Sequence, residues 1–278
     1  MTFSGMGERS KKIRADQLLV ARNLAESRQK AQRLILAGEA LCNGQRIEKP
    51  GQLLDAAAEI EIRPRRPRFV SRGGEKLDGA LSAFGCDVHG LICADIGAST
   101  GGFTHCLLER GAARVYALDV GHGQLHALLR ADPRVIALEG INCRYLQGRE
   151  IPEKVDFIVM DVSFISILKI LGGARTLLKP RGRACCLIKP QFEAGPRDVR
   201  RGGLVRDPAV QRRVLEEFCR GAAALGAKVV DLCRAPIAGT KGNQEFFALL
   251  AFGEPESMES GDADRLDQRI KDLTDDKT

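Results

Sequence analysis

Residues 91–103 read "LICADIGASTGGF", and the fold turns on how that stretch is read. Its first six residues are apolar except for Asp95, the pattern of a buried strand, and they run straight into a turn holding Gly97, Gly101 and Gly102. Glycines at a strand-to-helix turn let backbone approach a ligand closely and aim the first N–H groups of the next helix at it. The G-x-x-x-G-G spacing is neither the G-x-G-x-x-G dinucleotide fingerprint nor a P-loop, which would end in Gly-Lys-Ser/Thr.

Outward from this turn, apolar runs alternate with helix-like segments. Strands are expected at "LICADI" (91–96), "RVYALD" (114–119), "RVIAL" (134–138), "VDFIVM" (155–160) and "RACCLI" (183–188). Helices are expected at 102–110, 122–131, 166–178 and 208–225. Near-continuous apolar strands separated by helices predict an α/β fold with a mostly parallel sheet covered on both faces. Two further runs, "KVVDLCRA" (228–235) and "EFFALLAF" (245–252), are joined by a turn-rich segment and predict an antiparallel pair at one edge.

Polar residues interrupt these strands at telling places. Asp95 lies within the first, Asp119 and Asp161 stand at the ends of the second and fourth, and Lys189 ends the fifth. Open α/β sheets bind ligands outside the carboxyl ends of their strands, so the four would share one crevice. An acid at the end of the second strand suits a ribose diol, so Asp119 and the glycine-rich turn together point to an adenosine-containing cofactor. The turn carries no lysine or arginine, which fits S-adenosylmethionine better than a triphosphate. Lys189 closes the apolar run of "CCLIKPQF" (185–192), where a lysine either snorkels to water or is held for chemistry. Pro190 removes a ladder donor and ends the strand there.

Charge is unevenly spread. The net +7 resolves into +7 over residues 1–76, +5 over 77–253 and −5 over 254–278, so the front of the chain is the basic part and favours a polyanion such as RNA. Within it, "ADQLLVARNL" (15–24) and "SRQKAQRLILAG" (27–38) predict two helices, the second capped by Ser27 and closed by Gly38. Asn43-Gly44 predicts a hairpin inside "ALCNGQRIE", and "AAEIEI" a third strand. The expected layout is a flexible tail at 1–12, a small α+β domain at 13–62, a cationic linker at 63–70, a large α/β domain at 71–253 and an acidic, mobile tail at 254–278. The linker stretch "RPRRPRF" either touches phosphates or merely spaces the two domains.

Other classes are disfavoured. No apolar run is long enough to span a bilayer, and Arg9, Lys11 and Lys12 precede no apolar region, so a cytoplasmic protein without stable membrane association is expected. Nine cysteines without a C-x-x-C pair read as reduced core residues. His105, His122 and His126 show no ligand spacing, so no metal site is expected.

The front unit resembles the RNA-binding domain named after ribosomal protein S4, although it begins Arg14-Ala15-Asp16 where that family has Arg-Leu-Asp. Six motifs extend the likeness: "SRGGEKL" (71–77), "DIGASTGGFT" (95–104), "ALDVGHGQL" (117–125), "MDVSF" (160–164), "IKPQFE" (188–193) and "KGNQEFF" (241–247). Together they resemble the TlyA, or hemolysin-A-like, family of rRNA ribose 2′-O-methyltransferases. The resemblance implies a Rossmann-like methyltransferase sheet of the FtsJ type, mostly parallel with one antiparallel edge strand, behind an S4-like domain. It implies S-adenosylmethionine as cofactor, rRNA or ribosomal subunits as partner and cytidine as the nucleoside. It further implies a catalytic tetrad of Lys76, Asp161, Lys189 and Glu245. The implied cofactor contacts are Asp95, Gly97, Ser99, Thr100, Gly101, Gly102, Phe103, Asp119, Asn142 and Asp161. Candidate RNA contacts are Arg14, Arg28, Lys30, Arg33, Arg46, Arg65, Arg66 and Arg68.

The chemistry is consistent with such a tetrad. A ribose hydroxyl is a poor nucleophile, so methyl transfer needs alignment and a group that accepts or steers the proton. Lys189 is the candidate, as a neutral base or as a cation opposing the forming alkoxide; a second ammonium favours the first role and the carboxylates the second. Taken without the motifs, Lys76 also reads as a solvent-facing helix residue, Glu245 as an edge-strand charge and Asp161 as a helix cap. Base methylation fits less well, because Asp161-Val162-Ser163-Phe164 replaces the Asn/Asp-Pro-Pro-aromatic of amino-directed enzymes and no Pro-Cys occurs. A non-catalytic RNA-binding protein and a membrane-lytic protein remain the alternative functions.

Overall fold

The computed structural model describes residues 12–63, 67–199, 202–239, 242–253 and 262–275. The chain divides into two units, Met1–Pro67 and Arg68–Thr278.

In the front unit, β1 (Lys12–Arg14) and α1 (Ala15–Ala21) precede α2 (Arg28–Leu36), β2 (Ala40–Cys42), β3 (Gln45–Arg46), β4 (Leu53–Asp55) and β5 (Ile60–Ile62). The Ser27 hydroxyl accepts the Lys30 N–H at 3.2 Å and so starts α2. Strands β2 and β3 form the hairpin around Asn43-Gly44, and β5 pairs with β2 on the other side. The β1–β4 pair escapes sequence reading because each strand is three residues long, too short to display a period. Leu18, Leu19, Ala31, Ile35 and Ile47 make the core. Asp16 is buried among them, accepting from Arg14 (3.0 Å to each oxygen), Arg28 (2.8 Å) and Gln32 (3.1 Å). The Arg14 guanidinium and the other donors hold its carboxyl far below the usual carboxylate range, against the opposing effect of burial.

The second unit opens with α3 (Arg72–Ala83) and β6 (Ile92–Ile96), followed by α4 (Gly102–Glu109), β7 (Arg114–Leu118), α5 (Ala127–Arg130) and β8 (Val135–Leu138). Then come β9 (Val155–Met160), α6 (Leu168–Ala174), β10 (Leu178–Ile188), α7 (Pro190–Glu193), α8 (Pro208–Ala224), β11 (Ala227–Arg234), β12 (Phe246–Phe252) and α9 (Asp262–Asp275). The strand order is β11-β12-β10-β9-β6-β7-β8; β12 runs antiparallel to both neighbours and the other pairings are parallel. Alternate residues of each strand serve opposite faces. Cys93, Val115 and Phe157 meet Leu77, Leu81, Phe103 and Leu107 of α3 and α4, whereas Ala94, Leu118 and Ile158 belong with Ile170, Leu215 and Phe218 of α6 and α8. Each large side chain so buried contributes about 1.5–3 kcal/mol, which is why the strands read as continuous apolar runs.

Three expectations need correction. The helix read over 122–131 is a single turn, α5, because the preceding loop is pinned instead: Gly121 N–H donates to Asp119 and Gly123 N–H to Glu139. The helix read over 166–178 stops at Ala174 and a 3₁₀ turn, Arg175–Leu177, leads into a longer β10. Within the acidic tail, residues 262–275 form a packed helix: α9 buries Ile270 and Leu273 and half-buries Leu266 on the sheet face that α8 shares, with Arg269 donating to the Leu232 carbonyl.

Candidate active site

The site begins at the glycine-rich turn between β6 and α4. Asp95 is 0% exposed; its Oδ2 accepts both the backbone N–H (2.8 Å) and the hydroxyl (2.7 Å) of Thr104, pinning the start of α4 to the sheet. Its Oδ1 is buried with no hydrogen-bond partner among the described residues. Burial pushes this carboxyl up to about 7, opposed by the Thr104 bonds and reinforced by the nearby Asp161 and Asp119 charges. Gly97 is required where it stands: its φ is +84°, and a Cβ there would lie 2.5 Å from the Asp161 carbonyl oxygen. The turn can therefore pass directly over the end of β9.

Asp119, one residue past β7, accepts the Ser99 N–H on Oδ2 and the Gly121 N–H on Oδ1, both at 2.8 Å, so it braces the two loops that flank it. A cleft of about 200 Å³ opens beside the glycine turn. Lys76, Gly97, Ser99, Thr100, Gly102, Phe103, Asp161 and Lys189 line it, all of them sequence candidates. Gly101 supplies the left-handed residue (φ +92°) that starts α4.

Two lysine–carboxylate pairs converge on this cleft. The Lys189 ammonium lies 2.5 Å from Asp161 Oδ1 and donates to the Ser163 hydroxyl at 2.9 Å. The Lys76 ammonium lies 2.5 Å from Glu245 Oε2. The lysines are 11–12% exposed and Glu245 is 2% exposed, so both pairs are sheltered, and removing one partner would strand a charge. Chain order does not foretell the pairing: α3 meets the start of β12, and the end of β9 meets the end of β10. Asp161 does not cap a helix, because α6 begins seven residues later with Ile167 at its cap position.

Other candidates stand elsewhere. Asn142 is exposed, starts the 3₁₀ turn Cys143–Tyr145 by accepting the Arg144 N–H at 3.1 Å, and is not in the cleft wall. Asp95 sits behind that wall rather than in it. Lys30, Arg33 and Arg46 are exposed, but Arg14 and Arg28 are already committed to Asp16. Arg68 is held by Asp78 at 2.7 Å and lies over the Phe69 ring. Arg65 and Arg66 lie outside the described residues.

Some side chains at the site were not singled out from sequence. Ser71, Gly73 and Ser163 line the cleft. Phe164 is 90% exposed with φ +66°, its ring 5.0 Å from that of Phe192. Val120, next to Asp119, is an apolar side chain left 65% exposed. The quoted motifs "SRGGEKL", "MDVSF" and "ALDVGHGQL" contain all five, so the signal was present; what was missing was which residues line the cleft and which stand exposed beside its wall residues in the chain.

The sequence matches the FtsJ-like methyltransferase family over residues 69–252 and the S4 domain over residues 13–60. The chain belongs to the FtsJ-like methyltransferase family. Among relatives of this S4-plus-FtsJ-like chain, the 16S/23S rRNA (cytidine-2'-O)-methyltransferase TlyA of Mycobacterium tuberculosis is 43% identical over 87% of this chain and 90% of its own. Hemolysin A of Brachyspira hyodysenteriae is 42% identical over 85% and 98% respectively. A solved structure from Streptococcus thermophilus that carries a hemolysin name superposes with a TM-score of 0.70 at 38% identity, covering 95% of this chain and 98% of that one.

The methyl donor of this FtsJ-like enzyme is S-adenosylmethionine, and the residues present fit it. The glycine turn offers a close backbone approach, and behind it the Asp95 carboxyl keeps one buried oxygen without a partner among the described residues. Asp119, which accepts one N–H on each oxygen, keeps acceptor capacity and would be the residue to hold ribose hydroxyls.

Proposed function

We propose that the chain methylates the 2′-hydroxyl of a cytidine ribose in rRNA, in the cytoplasm, with the basic front unit gripping RNA. The observation that carries this reading is the convergence of two lysine–carboxylate pairs on a cleft whose other wall is the glycine turn. When bound, S-adenosylmethionine supplies a methyl group on a sulfonium, a good electrophile that needs only an aligned oxygen.

The chain's own residues would supply the alignment. Lys189, fixed by Asp161 and Ser163, stands as a cation that opposes the negative charge growing on the ribose oxygen as its proton passes to solvent water. Its ion pair favours this role over that of a neutral base. Lys76, held by Glu245, adds a second positive group on the same wall. Bases splayed from RNA are recognised by stacking on aromatic faces, and Phe164, next in the chain to Ser163 of the cleft wall, presents an exposed one.

The reading is tested by incubating the protein with labelled cofactor and unmethylated ribosomal subunits, then digesting the RNA. Ribose methylation leaves alkali- and nuclease-resistant dinucleotides; their absence, with label on a base, would overturn it. The names of some relatives raise a lytic activity as well. No helix among the described residues is long and apolar enough to cross a membrane. Release of vesicle dye by the pure protein would favour that second reading.

A further inference from the structure

We infer that Gln191 is a positioning residue for methyl transfer, acting through Glu245 on Lys76; the inference rests on the ribose methylation proposed above. Gln191 lies in α7, the single turn that follows Lys189 and opens on Pro190. Its amide Nε2 donates to Glu245 Oε1 at 3.2 Å, while the other oxygen of Glu245 accepts from Lys76 at 2.5 Å. A carboxylate oxygen only accepts, so the amide must face it with its nitrogen. Gly239 closes the other side: a Cβ at that residue would lie 2.0 Å from Glu245 Oε1. Walled by Gly239 and held by Gln191, the carboxylate has one place to stand, and so has the ammonium it holds.

The same turn fixes the other half of the tetrad. Lys189 immediately precedes α7, and Glu193 at its end accepts the Ile167 N–H at 2.9 Å, tying down the loop that carries Ser163 and Phe164. Five consecutive residues therefore set Lys189 against Asp161, Glu245 against Lys76, and the 162–167 loop against both.

Folding alone does not account for Gln191. Its Oε1 is buried with no hydrogen-bond partner among the described residues, a condition that costs stability; an apolar side chain of the same length would remove that cost but leave Glu245 Oε1 without its donor. A residue kept only for packing would be apolar here. The amide is explained by what its nitrogen holds.

The test uses the full chain, S-adenosylhomocysteine and ribosomal subunits lacking the methyl group. Gln191→Met should lower kcat about tenfold or more, as expected for loss of a hydrogen bond to a charged group. Its affinity for S-adenosylhomocysteine should stay within about twofold of wild type, and its melting temperature should fall by a few degrees at most, because the change removes one unsatisfied oxygen, Gln191 Oε1, and leaves another, Glu245 Oε1. Gln191→Glu should show a loss that depends on pH: protonated at the acid end it can donate as the amide does, and its activity should fall as pH rises and two carboxylates face each other. Profiles of both variants that superpose on wild type would overturn the inference, as would a Gln191→Met loss of kcat matched by lost cofactor affinity and a larger fall in melting temperature. A wild-type enzyme that leaves ribose unmethylated would overturn the proposed function itself, and this inference with it.

Discussion

Replacing Asp95 by Asn isolates the free energy held in one buried carboxyl. Burial lifts its pKa from an ordinary 3.8 to about 7 in the folded protein. A folded-state value above the unfolded one means that folding prefers the protonated form, so this contribution is fully present below about pH 4 and is lost as pH rises to 7. A shift of about three units at ~1.4 kcal/mol each makes the loss roughly 4 kcal/mol. Asparagine can still accept both Thr104 bonds and does not titrate. In cofactor-free protein, urea unfolding measured at a series of pH values should show the Asn variant gaining about 4 kcal/mol over wild type between pH 4 and 7.5. Every other titrating group is common to both proteins and cancels in the difference. Parallel stability curves would refute the reasoning, because they would mean that Asp95 ionises at no cost and has a partner for its second oxygen.

Lys189→Ala should lower methyl transfer by about two orders of magnitude or more while RNA affinity, measured by filter binding, stays within about twofold. Phe164→Ala should raise KM for RNA about tenfold, the worth of one base stack, and leave cofactor affinity unchanged in calorimetry. Asp16→Ala should destabilise the front unit by about 2 kcal/mol in thermal unfolding, because Arg14 and Arg28 lose the buried carboxylate they hold. Asp16 is held below its unfolded value, so its contribution is present above about pH 4 and lost as pH falls. The wild-type front unit should therefore be acid-labile, and the variant less so.

The parallel sheet was legible because β6, β7, β9 and the end of β10 (residues 184–188) are largely buried on both faces and mostly apolar, Asp95, Arg114 and Asp156 being the exceptions. The helix at 122–131 was misread because "HGQLHALLRA" has helical spacing while the loop's N–H groups are claimed by Asp119 and Glu139. Neither acceptor is a local neighbour of all the donors it serves. Helix α9 was misread for a related reason: three apolar residues look too few to fold, until a sheet face is present to receive them.

For the site, the sequence alone determined which residue types stand at strand ends, and with them a crevice, a glycine turn and a set of charged candidates. That follows from local chemistry, since a glycine turn and a charge after an apolar run leave a mark in neighbouring residues. Only the tertiary structure decided that Lys189 pairs with Asp161 and Lys76 with Glu245, that Asp95 stands behind the cleft wall, and that Gln191 bridges to Glu245. Those contacts join residues 28 to 169 positions apart, set by how parallel strands and an antiparallel insertion are ordered in the sheet, and no local period in a single chain records that order.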